Sequence, residues 1–294
     1  MAHKSGFVNI IGNPNVGKST IMNSLVGERL SIITSKMQTT RHRIKGIVNG
    51  DDFQIVYSDT PGILKPNYKL QETMMKFVNT ALIDADIILY VTDVIEAPGK
   101  NEEYIERIKS SEAAVIVLIN KIDLSTQEKV LELYKYWNEK LPLASVYAIS
   151  ATNKFGIGQI FDRIMDLLPE GPAYFPKDEL TDRNERFFVT EIIREKILLN
   201  YDKEVPYSVE VEVEQFKEEE KLLNLMCVIH VNRDSQKGII IGHQGKALKK
   251  VGTDARIDME EFFQKKVFLQ LYVKVNKDWR EKDRSLNSFG YDME

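Results

Sequence analysis

Eight residues near the N-terminus have the types and spacing of a phosphate-binding loop. The pattern G-x-x-x-x-G-K-[ST] is matched at every position by Gly12-Asn13-Pro14-Asn15-Val16-Gly17-Lys18-Ser19. The glycines of such a loop let successive backbone N–H groups face a phosphate chain, the lysine reaches the β and γ oxygens, and the serine can bind Mg²⁺. We expect this loop, with the next residue Thr20, to hold a nucleoside triphosphate.

The segments on either side of the loop have the patterns that such a site needs. An apolar run from Phe7 to Ile11 is typical of a buried strand, and Thr20 to Val26 has helical spacing that ends at Gly27. A helix that begins at the loop points its positive end at bound phosphate. Strand, loop and helix are therefore in the required order, which a chance match of the pattern would not supply.

The length and composition are those of a soluble globular protein with two domains. The 294 residues are 43% hydrophobic, and apolar runs such as Ala113 to Ile119 are far too short to cross a bilayer. The N-terminus lacks the long apolar stretch of a secretory signal, so we expect a cytoplasmic location. The single cysteine, Cys227, excludes an internal disulfide framework and a zinc cluster, and we expect it to be a small buried apolar side chain.

Strand and helix patterns alternate through the rest of the first half. They comprise a hairpin at 44–48 and 53–57, strands near 87–91, 114–119 and 146–149, and helices near 101–112, 126–140 and 157–168. This alternation predicts an α/β fold, in which a mainly parallel sheet is covered by helices on both faces. Ligands of such sheets gather at the carboxyl ends of the strands.

Polar motifs follow three of these predicted strands. Asp59 and Gly62 form a D-x-x-G pattern, in which the Asp of phosphate-loop enzymes holds Mg²⁺ and the glycine N–H can meet the γ-phosphate. Asn120-Lys121-Ile122-Asp123 and Ser150-Ala151 follow two further strands. Guanine presents N1–H and N2–H₂ as paired donors, whereas adenine has an acceptor at N1 and no amine at C2. Because a carboxylate accepts both guanine donors, Asp123 selects guanine.

Taken in chain order, these elements resemble the translation-factor-related GTPases, and the resemblance implies GTP and GDP as ligands together with Mg²⁺. It assigns phosphate and Mg²⁺ contacts to Lys18 and Ser19, the second switch to Asp59 and Gly62, base recognition to Asn120, Lys121 and Asp123, and a guanine carbonyl contact to Ser150-Ala151. The switch threonine is Thr39 or Thr40. We take Ser19, Thr40 and Asp59 as the candidate Mg²⁺ ligands, with Thr39 as the alternative.

One position departs from the Ras-like pattern. Ile63 stands directly after the D-x-x-G glycine, where Ras-like enzymes have a glutamine that orients the attacking water. An apolar side chain cannot hold a water, so either turnover is slow or another group positions the nucleophile. In related GTPases an asparagine at the place of Asn15 helps to bind K⁺. We expect weak, K⁺-stimulated hydrolysis with Lys18, Thr40, Gly62 and Asn15 as catalytic candidates; the alternative is that Asn15 only shapes the loop.

A proline-containing segment at 171–178 predicts a linker between a GTPase domain at 1–170 and a second domain at 179–294. In the second domain, Thr181 is the expected N-cap of an amphipathic helix. Two strands follow, near 207–216 and 225–232.

Gly242 and Gly245 form a G-x-x-G loop between a short apolar segment and a helix that runs to about Phe263, with a strand at 267–275 behind it. The order of elements resembles a type II KH domain, an α+β fold whose loop clamps about four nucleotides of single-stranded RNA.

The net charge of −4 requires any RNA site to be a confined patch, and no acid lies between residues 237 and 250. Lys246, Lys249 and Lys250 form a basic face along the helix, and Arg256 extends it. The RNA-binding candidates are Gly238, Ile239, Ile240, Ile241, Gly242, His243, Gln244, Gly245, Lys246, Lys249 and Lys250.

The two halves together resemble the Era family of bacterial GTPases over essentially the whole chain. Gln38-Thr39-Thr40-Arg41-His42-Arg43 and Pro206-Tyr207-Ser208-Val209 contribute to this resemblance. It implies a small-ribosomal-subunit assembly factor that binds single-stranded sequence near the 3′ end of the small-subunit ribosomal RNA, with peripheral association at the inner membrane, and we expect a monomer. One alternative is an RNA-binding scaffold with guanine nucleotide as a structural ligand. An RNA-modifying GTPase is disfavoured because Cys227 lies in an apolar strand and no other added nucleophile is evident.

Overall fold

The computed structural model describes residues 2–291, which divide into two compact units. The first unit comprises the chain up to Pro66 together with Met74–Asp182. The second comprises Asn67–Thr73 together with the chain from Arg183 onward. The segment 171–182, which the sequence assigned to a linker and the start of the second domain, is therefore part of the first unit. No helix in the described residues combines the length and apolar character needed to cross a membrane.

A six-stranded sheet is the centre of the first unit. Its strands are β1 (Lys4–Gly12), β2 (Ile44–Asn49), β3 (Phe53–Asp59), β4 (Ile87–Asp93), β5 (Ala114–Asn120) and β6 (Ser145–Ala148). The spatial order is β2-β3-β1-β4-β5-β6, and only the hairpin β2–β3 is antiparallel. This confirms the predicted hairpin and the mainly parallel sheet. The central strands are almost completely buried because helices cover both of their faces.

Four helices lie between these strands and a fifth follows β6. They are α1 (Lys18–Val26), α2 (Lys69–Ile83), α3 (Glu102–Lys109), α4 (Gln127–Lys140) and α5 (Ile157–Leu167). Helix α1 ends at Gly27, which adopts φ +84° and donates its N–H to the Asn23 carbonyl. Helix α2 was not predicted, although Leu70, Met74 and Val78 form a buried stripe with a four-residue spacing. The other four helices lie where their periodicity placed them.

The second unit is built on a three-stranded sheet with the order β7-β8-β9. The strands are β7 (Glu210–Glu218), β8 (Leu222–Val231) and β9 (Lys266–Val275). Strands β7 and β8 are antiparallel with a bulge between Val213 and Gln215, and β8 and β9 are parallel over ten residues. Cys227 is completely buried on β8, which confirms the expectation of a small apolar core side chain.

Four helices belong to this unit: α6 (Glu185–Asn200), α7 (Asp234–Ile241), α8 (Lys246–Phe263) and α9 (Asp283–Ser288). One core joins α6 and α8 to the inner face of the sheet. The expectation that Thr181 caps α6 is wrong. The N-cap is Asn184, which accepts the Phe187 N–H at 3.0 Å. Thr181 instead bridges to Gly46 and donates to the Lys45 carbonyl at 2.7 Å, since the chain there is extended beside β2.

Candidate functional site

The phosphate loop connects β1 to α1, as its flanking patterns predicted. Lys18 is 6% exposed, and its Nζ donates to the carbonyls of Gly12 at 3.2 Å and Asn13 at 2.8 Å. Gly17 has φ +99°, and a Cβ there would lie 2.2 Å from Asn120 Nδ2, so this position requires glycine. Burial lowers the pKa of Lys18 to about 8, and the charge of Asp59 opposes this effect. Burial and the positive end of the helix both disfavour the charged lysine, so a bound anion such as phosphate would stabilise it.

A cavity of about 900 Å³ opens above this loop. Its walls are the phosphate loop, the segment 32–40, residues 62–64, the segment 93–101 and Lys121. This volume is in the range of small-molecule sites, which are roughly 300–1,000 Å³.

Ser19, Thr40 and Asp59 converge at one end of the cavity. Ser19 Oγ donates to Asp59 Oδ2 at 2.6 Å and lies 3.0 Å from Thr40 Oγ1, and Thr40 Oγ1 donates to Asp59 Oδ2 at 3.2 Å. Thr39 does not join this cluster, because its Oγ1 donates to the Lys36 carbonyl at 2.6 Å. Of the two threonines left open by the sequence, the structure therefore brings Thr40 to the other candidate Mg²⁺ ligands.

This cluster fits a hydrated Mg²⁺ ion. Asp59 Oδ1 is buried and has no hydrogen-bond partner within residues 2–291. Burial raises the pKa of Asp59, while the charge of Lys18 and hydrogen bonds from Ser19 and Thr40 oppose the rise. The described residues contain no group of three or more His, Cys, Asp or Glu side chains that could hold a metal alone. Mg²⁺ does not need one, because it binds through one or two carboxylates, waters and substrate phosphates.

The D-x-x-G segment packs on the phosphate loop. A Cβ at Gly62 would lie 2.7 Å from Pro14 Cα, so only glycine allows this approach. The Ile63 N–H donates to the Gly12 carbonyl at 3.1 Å, and Ile63 is 2% exposed. Its buried apolar side chain is therefore not available to orient a water molecule.

The base-recognition residues lie where β5 and β6 end. Asn120 Nδ2 donates to the Val16 carbonyl at 2.8 Å, and Asn120 Oδ1 accepts the Ala151 N–H at 3.0 Å. Ser150 Oγ donates to Asp123 Oδ1 at 2.5 Å, and Asp123 is exposed. The Asp123 carboxylate is thus oriented by a hydroxyl. In the Ser150-Ala151 loop, which was predicted to contact the guanine carbonyl, the Ala151 N–H is already bonded to Asn120.

A second acidic strand end was missed by sequence reasoning. Asp93 ends β4, and its Oδ2 accepts from Lys121 Nζ at 2.6 Å. Lys121 Nζ also donates to the Asn15 carbonyl at 2.5 Å, so this lysine ties the base-recognition loop to the phosphate loop. An aspartate at the carboxyl end of a central parallel strand was the available signal, because ligands gather at that edge.

The G-x-x-G loop connects α7 to α8 through a 3₁₀ turn at His243–Gly245. Gly242 has φ +71°, and a Cβ there would lie 2.6 Å from the Cβ of Ala247. Gly245 has φ +74° and open space around its Cα. The first glycine is thus required by packing and backbone conformation, and the second leaves the backbone accessible.

Most of the RNA-binding candidates are at the surface. Lys246, Lys249 and Lys250 are exposed, and their amines form no ion pair within the described residues. Two predictions need correction. Ile240 is fully buried in the core, and its carbonyl accepts from Tyr201 Oη at 2.6 Å, so it is not available to RNA. Arg256 pairs with Glu260 at 2.8 Å, so it is not a free extension of the basic face.

Two protein families match separate parts of this chain. Residues 7–121 match a family described as 50S ribosome-binding GTPase, and residues 204–280 match the KH domain. GTPase Era of Syntrophus aciditrophicus is 46% identical over 291 residues, which cover 98% of this chain and 95% of that protein. GTPase Era of Geobacter metallireducens is 44% identical and covers 98% of both. The chain belongs to the Era family of GTPases.

Solved Era structures have the same fold as this chain. A crystal structure of Era with MgGDPNP and nucleotides 1506–1542 of 16S ribosomal RNA has a TM-score of 0.94 and 38% identity, and it covers 99% of this chain and 100% of that one. A variant of Era from Aquifex aeolicus bound to GDP and AlF₄⁻ matches with the same values. These comparisons confirm the predicted GTPase and KH architecture, and they confirm GTP, GDP and Mg²⁺ as the ligands to consider.

Proposed function

We propose that this Era-family GTPase binds single-stranded RNA near the 3′ end of the small-subunit ribosomal RNA under control of GTP, and that it acts in small ribosomal subunit assembly. The supporting observation is the TM-score of 0.94 over 99% of the chain with Era bound to MgGDPNP and 16S nucleotides 1506–1542. The 50S description applies to a family that matches residues 7–121 alone. The Era structure with bound 16S nucleotides matches both domains.

In this proposal, backbone N–H groups of residues 12–20 bind the phosphates and Lys18 binds the β and γ oxygens. Ser19 and Thr40 would hold Mg²⁺ through their hydroxyls, and Asp59 would hold it through water, consistent with its unpaired Oδ1. When bound there, Mg²⁺ would supply positive charge next to the β- and γ-phosphates. The Gly62 N–H contacts the γ-phosphate, because its backbone already lies against Pro14 in the loop.

In this proposal Asp123 selects guanine, and Asn120 and Lys121 hold the surrounding loops in place. The Asp123 carboxylate accepts the N1–H and N2–H₂ donors of guanine. The 2.5 Å hydrogen bond from Ser150 orients that carboxylate. Ser150 and Ala151 complete the wall of the base site.

Hydrolysis is slow in this scheme because Ile63 is buried and no glutamine occupies its place. Asn15 is the residue that we propose for K⁺. It has φ +65°, it is exposed at the cavity, and its side chain makes no hydrogen bond within the described part of the chain. A cation bound by the Asn15 amide oxygen would neutralise charge that develops on the phosphates.

RNA binding uses the backbone of Gly242–Gly245 and the charges of Lys246, Lys249 and Lys250. The positive-φ glycines let the chain approach the sugar-phosphate backbone, and the unpaired lysines supply the salt-dependent part of the affinity. GTP acts as a switch only if the two nucleotide states differ in RNA affinity. We propose that the GTP state has the accessible RNA groove.

We also propose a cytoplasmic monomer, since small subunits are assembled in the cytoplasm. The family resemblance implies an additional peripheral location at the inner membrane.

The test is RNA affinity measured in each nucleotide state. A labelled oligonucleotide with the 3′-terminal small-subunit sequence should bind more tightly with GDPNP than with GDP, and an oligonucleotide of scrambled sequence serves as the control. Equal affinities would contradict the switch.

The buried Ile63 also favours a second candidate function, an RNA-binding scaffold with GTP as a structural ligand. Multiple-turnover GTP hydrolysis with and without small subunits separates them, because a scaffold would release no phosphate beyond one equivalent.

A further inference from the structure

The Asn13 side chain of the phosphate loop is held by two residues from another wall of the nucleotide cavity, the segment 93–101. Its Nδ2 donates to Glu96 Oε2 at 2.7 Å, and its Oδ1 accepts from Asn101 Nδ2 at 2.5 Å. Asn13 is 4% exposed, so both ends of its amide are paired in a buried position. Glu96 and Asn101 both lie in the loop between β4 and α3.

This loop is itself held to the sheet beside the phosphate loop. Glu96 Oε1 accepts from Thr92 Oγ1 at 2.8 Å, and Asp93 Oδ1 accepts the N–H groups of Ile95 and Glu96 at 2.9 Å each. Strand β4 pairs with β1 up to Gly12, where a Cβ would lie 2.2 Å from the Val91 carbonyl oxygen. The loop that contacts Asn13 is thus itself held in a fixed position.

Asn13 in turn determines where phosphate-binding groups lie. Its carbonyl accepts from Lys18 Nζ at 2.8 Å. Pro14, the next residue, contacts Gly62 so closely that a Cβ on the glycine would lie 2.7 Å from Pro14 Cα. A displaced Asn13 would shift the lysine and the surface against which the switch glycine packs.

We propose that Glu96 and Asn101 are positioning residues that hold the phosphate loop in its binding conformation through the Asn13 side chain. The inference rests on the proposed GTP-binding function of this site. A loop that is already ordered loses less conformational entropy when the ligand binds. The loop holds phosphates that GDP and GTP share, so loss of this contact weakens both nucleotides by a similar factor.

A double-mutant cycle tests the contact. Asn13→Asp places a carboxylate against the Glu96 carboxylate and should weaken GDP and GDPNP binding by roughly 100-fold, since it removes a donor and juxtaposes like charges. Glu96→Gln alone should weaken binding by about 3-fold. The double variant restores an amide donor facing a carboxylate, with the same net charge as the wild type, and its affinity should return to within about 5-fold.

Two kinds of measurement and one control pair of variants decide the outcome. Nucleotide affinities come from fluorescent GDP and GDPNP, and thermal unfolding of the nucleotide-free proteins shows whether each variant folds. The pair Glu103→Gln and Gln159→Glu makes the same two chemical changes at exposed positions and should be additive and near neutral.

Additive effects of Asn13→Asp and Glu96→Gln, or recovery of the unfolding temperature without recovery of affinity, would overturn the inference. A wild-type protein that does not bind GDP would contradict the proposed function itself.

Discussion

Ser150 Oγ donates a 2.5 Å hydrogen bond to Asp123 Oδ1, so a hydroxyl from the loop after β6 orients a carboxylate from the loop after β5. The hydroxyl is itself well placed, because it lies within 3.4 Å of the Asn153 N–H that donates to it. The carboxylate thereby presents its remaining acceptor sites outward in a fixed direction. Such an acceptor suits a base with two adjacent donors.

Asp123→Asn should change the base preference from guanine to xanthine. The new amide can donate to the xanthine carbonyl but repels one guanine donor, so GTP affinity should fall by roughly 100-fold and XTP affinity should rise. Competition of GTP and XTP against a fluorescent nucleotide measures the preference. Ser150→Ala is the matched control: it leaves the carboxylate and should reduce GTP affinity by only about 10-fold without favouring XTP. Retained GTP preference in Asp123→Asn would remove Asp123 from the base site.

Thr40→Ala and Thr39→Ala should differ in their effect on the Mg²⁺ requirement. Thr40 lies 3.0 Å from Ser19 Oγ, whereas Thr39 bonds to the Lys36 carbonyl within its own loop. We expect Thr40→Ala to raise the Mg²⁺ concentration needed for GTP hydrolysis by roughly 10-fold or more, as loss of a metal-site group does. Thr39→Ala is the control and should change it by less than about 3-fold. Mg²⁺ titration of phosphate release measures this requirement. A larger increase in Thr39→Ala than in Thr40→Ala would assign the Mg²⁺ ligand to Thr39.

The sequence predicted the elements and the site motifs more fully than the contacts among them. Local patterns carry the hairpin β2–β3, the phosphate loop and the G-x-x-G loop, because a few neighbouring residues determine each. The choice of Thr40 over Thr39 depended on Asp59, nineteen residues away. The contact between Asn13 and Glu96 joins residues 83 positions apart, and no local pattern encodes it.

The wrong predictions for Thr181 and Ile240 have the same physical origin. Thr181 has the side chain of an N-cap, but the chain around it pairs with β2, so the tertiary contact overrides the local preference. Ile240 lies in the RNA-loop sequence, but its periodic position on α7 directs it into the core. Sequence proximity to a motif therefore did not decide whether a side chain is available to a ligand.

GTP hydrolysis should be faster in K⁺ than in Na⁺. We expect about 10-fold stimulation, because a cation near Asn15 would offset charge that the buried Ile63 cannot. Phosphate release at equal ionic strength in KCl and NaCl measures the effect. Asn15→Ala should abolish the stimulation while GDP affinity changes little, since the loop N–H groups remain. Equal rates in the two salts would leave Asn15 with the role of shaping the loop.

Cys227 should be almost unreactive in the folded protein. Burial raises the pKa of its thiol to about 12, so little thiolate exists at pH 8. We expect alkylation of the folded protein to be roughly 100-fold slower than in urea. The unfolded thiol loses its proton near pH 9 while the folded thiol keeps it, so the free energy of unfolding falls as the pH rises above 9. Cys227→Ala should lose that alkaline component, as measured by urea unfolding at pH 8 and pH 10. Rapid alkylation under native conditions would place the thiol at the surface.

Replacement of the two central G-x-x-G residues should weaken RNA binding alone. His243 and Gln244 are exposed, and the double variant His243→Asp, Gln244→Asp adds two negative charges where the RNA backbone is proposed to lie. We expect affinity for the 3′-terminal oligonucleotide to fall by roughly 10- to 100-fold at moderate salt, and less as the salt concentration rises. GDP and GDPNP affinities should stay at the wild-type values.

The control for that variant adds the same charge elsewhere on the KH domain. Gln215→Asp with Asn224→Asp places two carboxylates on the sheet, where β7 and β8 pair. If RNA binding follows the G-x-x-G loop, this control retains most of its affinity, because charges beyond a Debye length of about 10 Å are screened. Equal losses in both variants would show that net charge, and not the loop, governs binding. An unchanged affinity in the loop variant would move the RNA site away from residues 238–250.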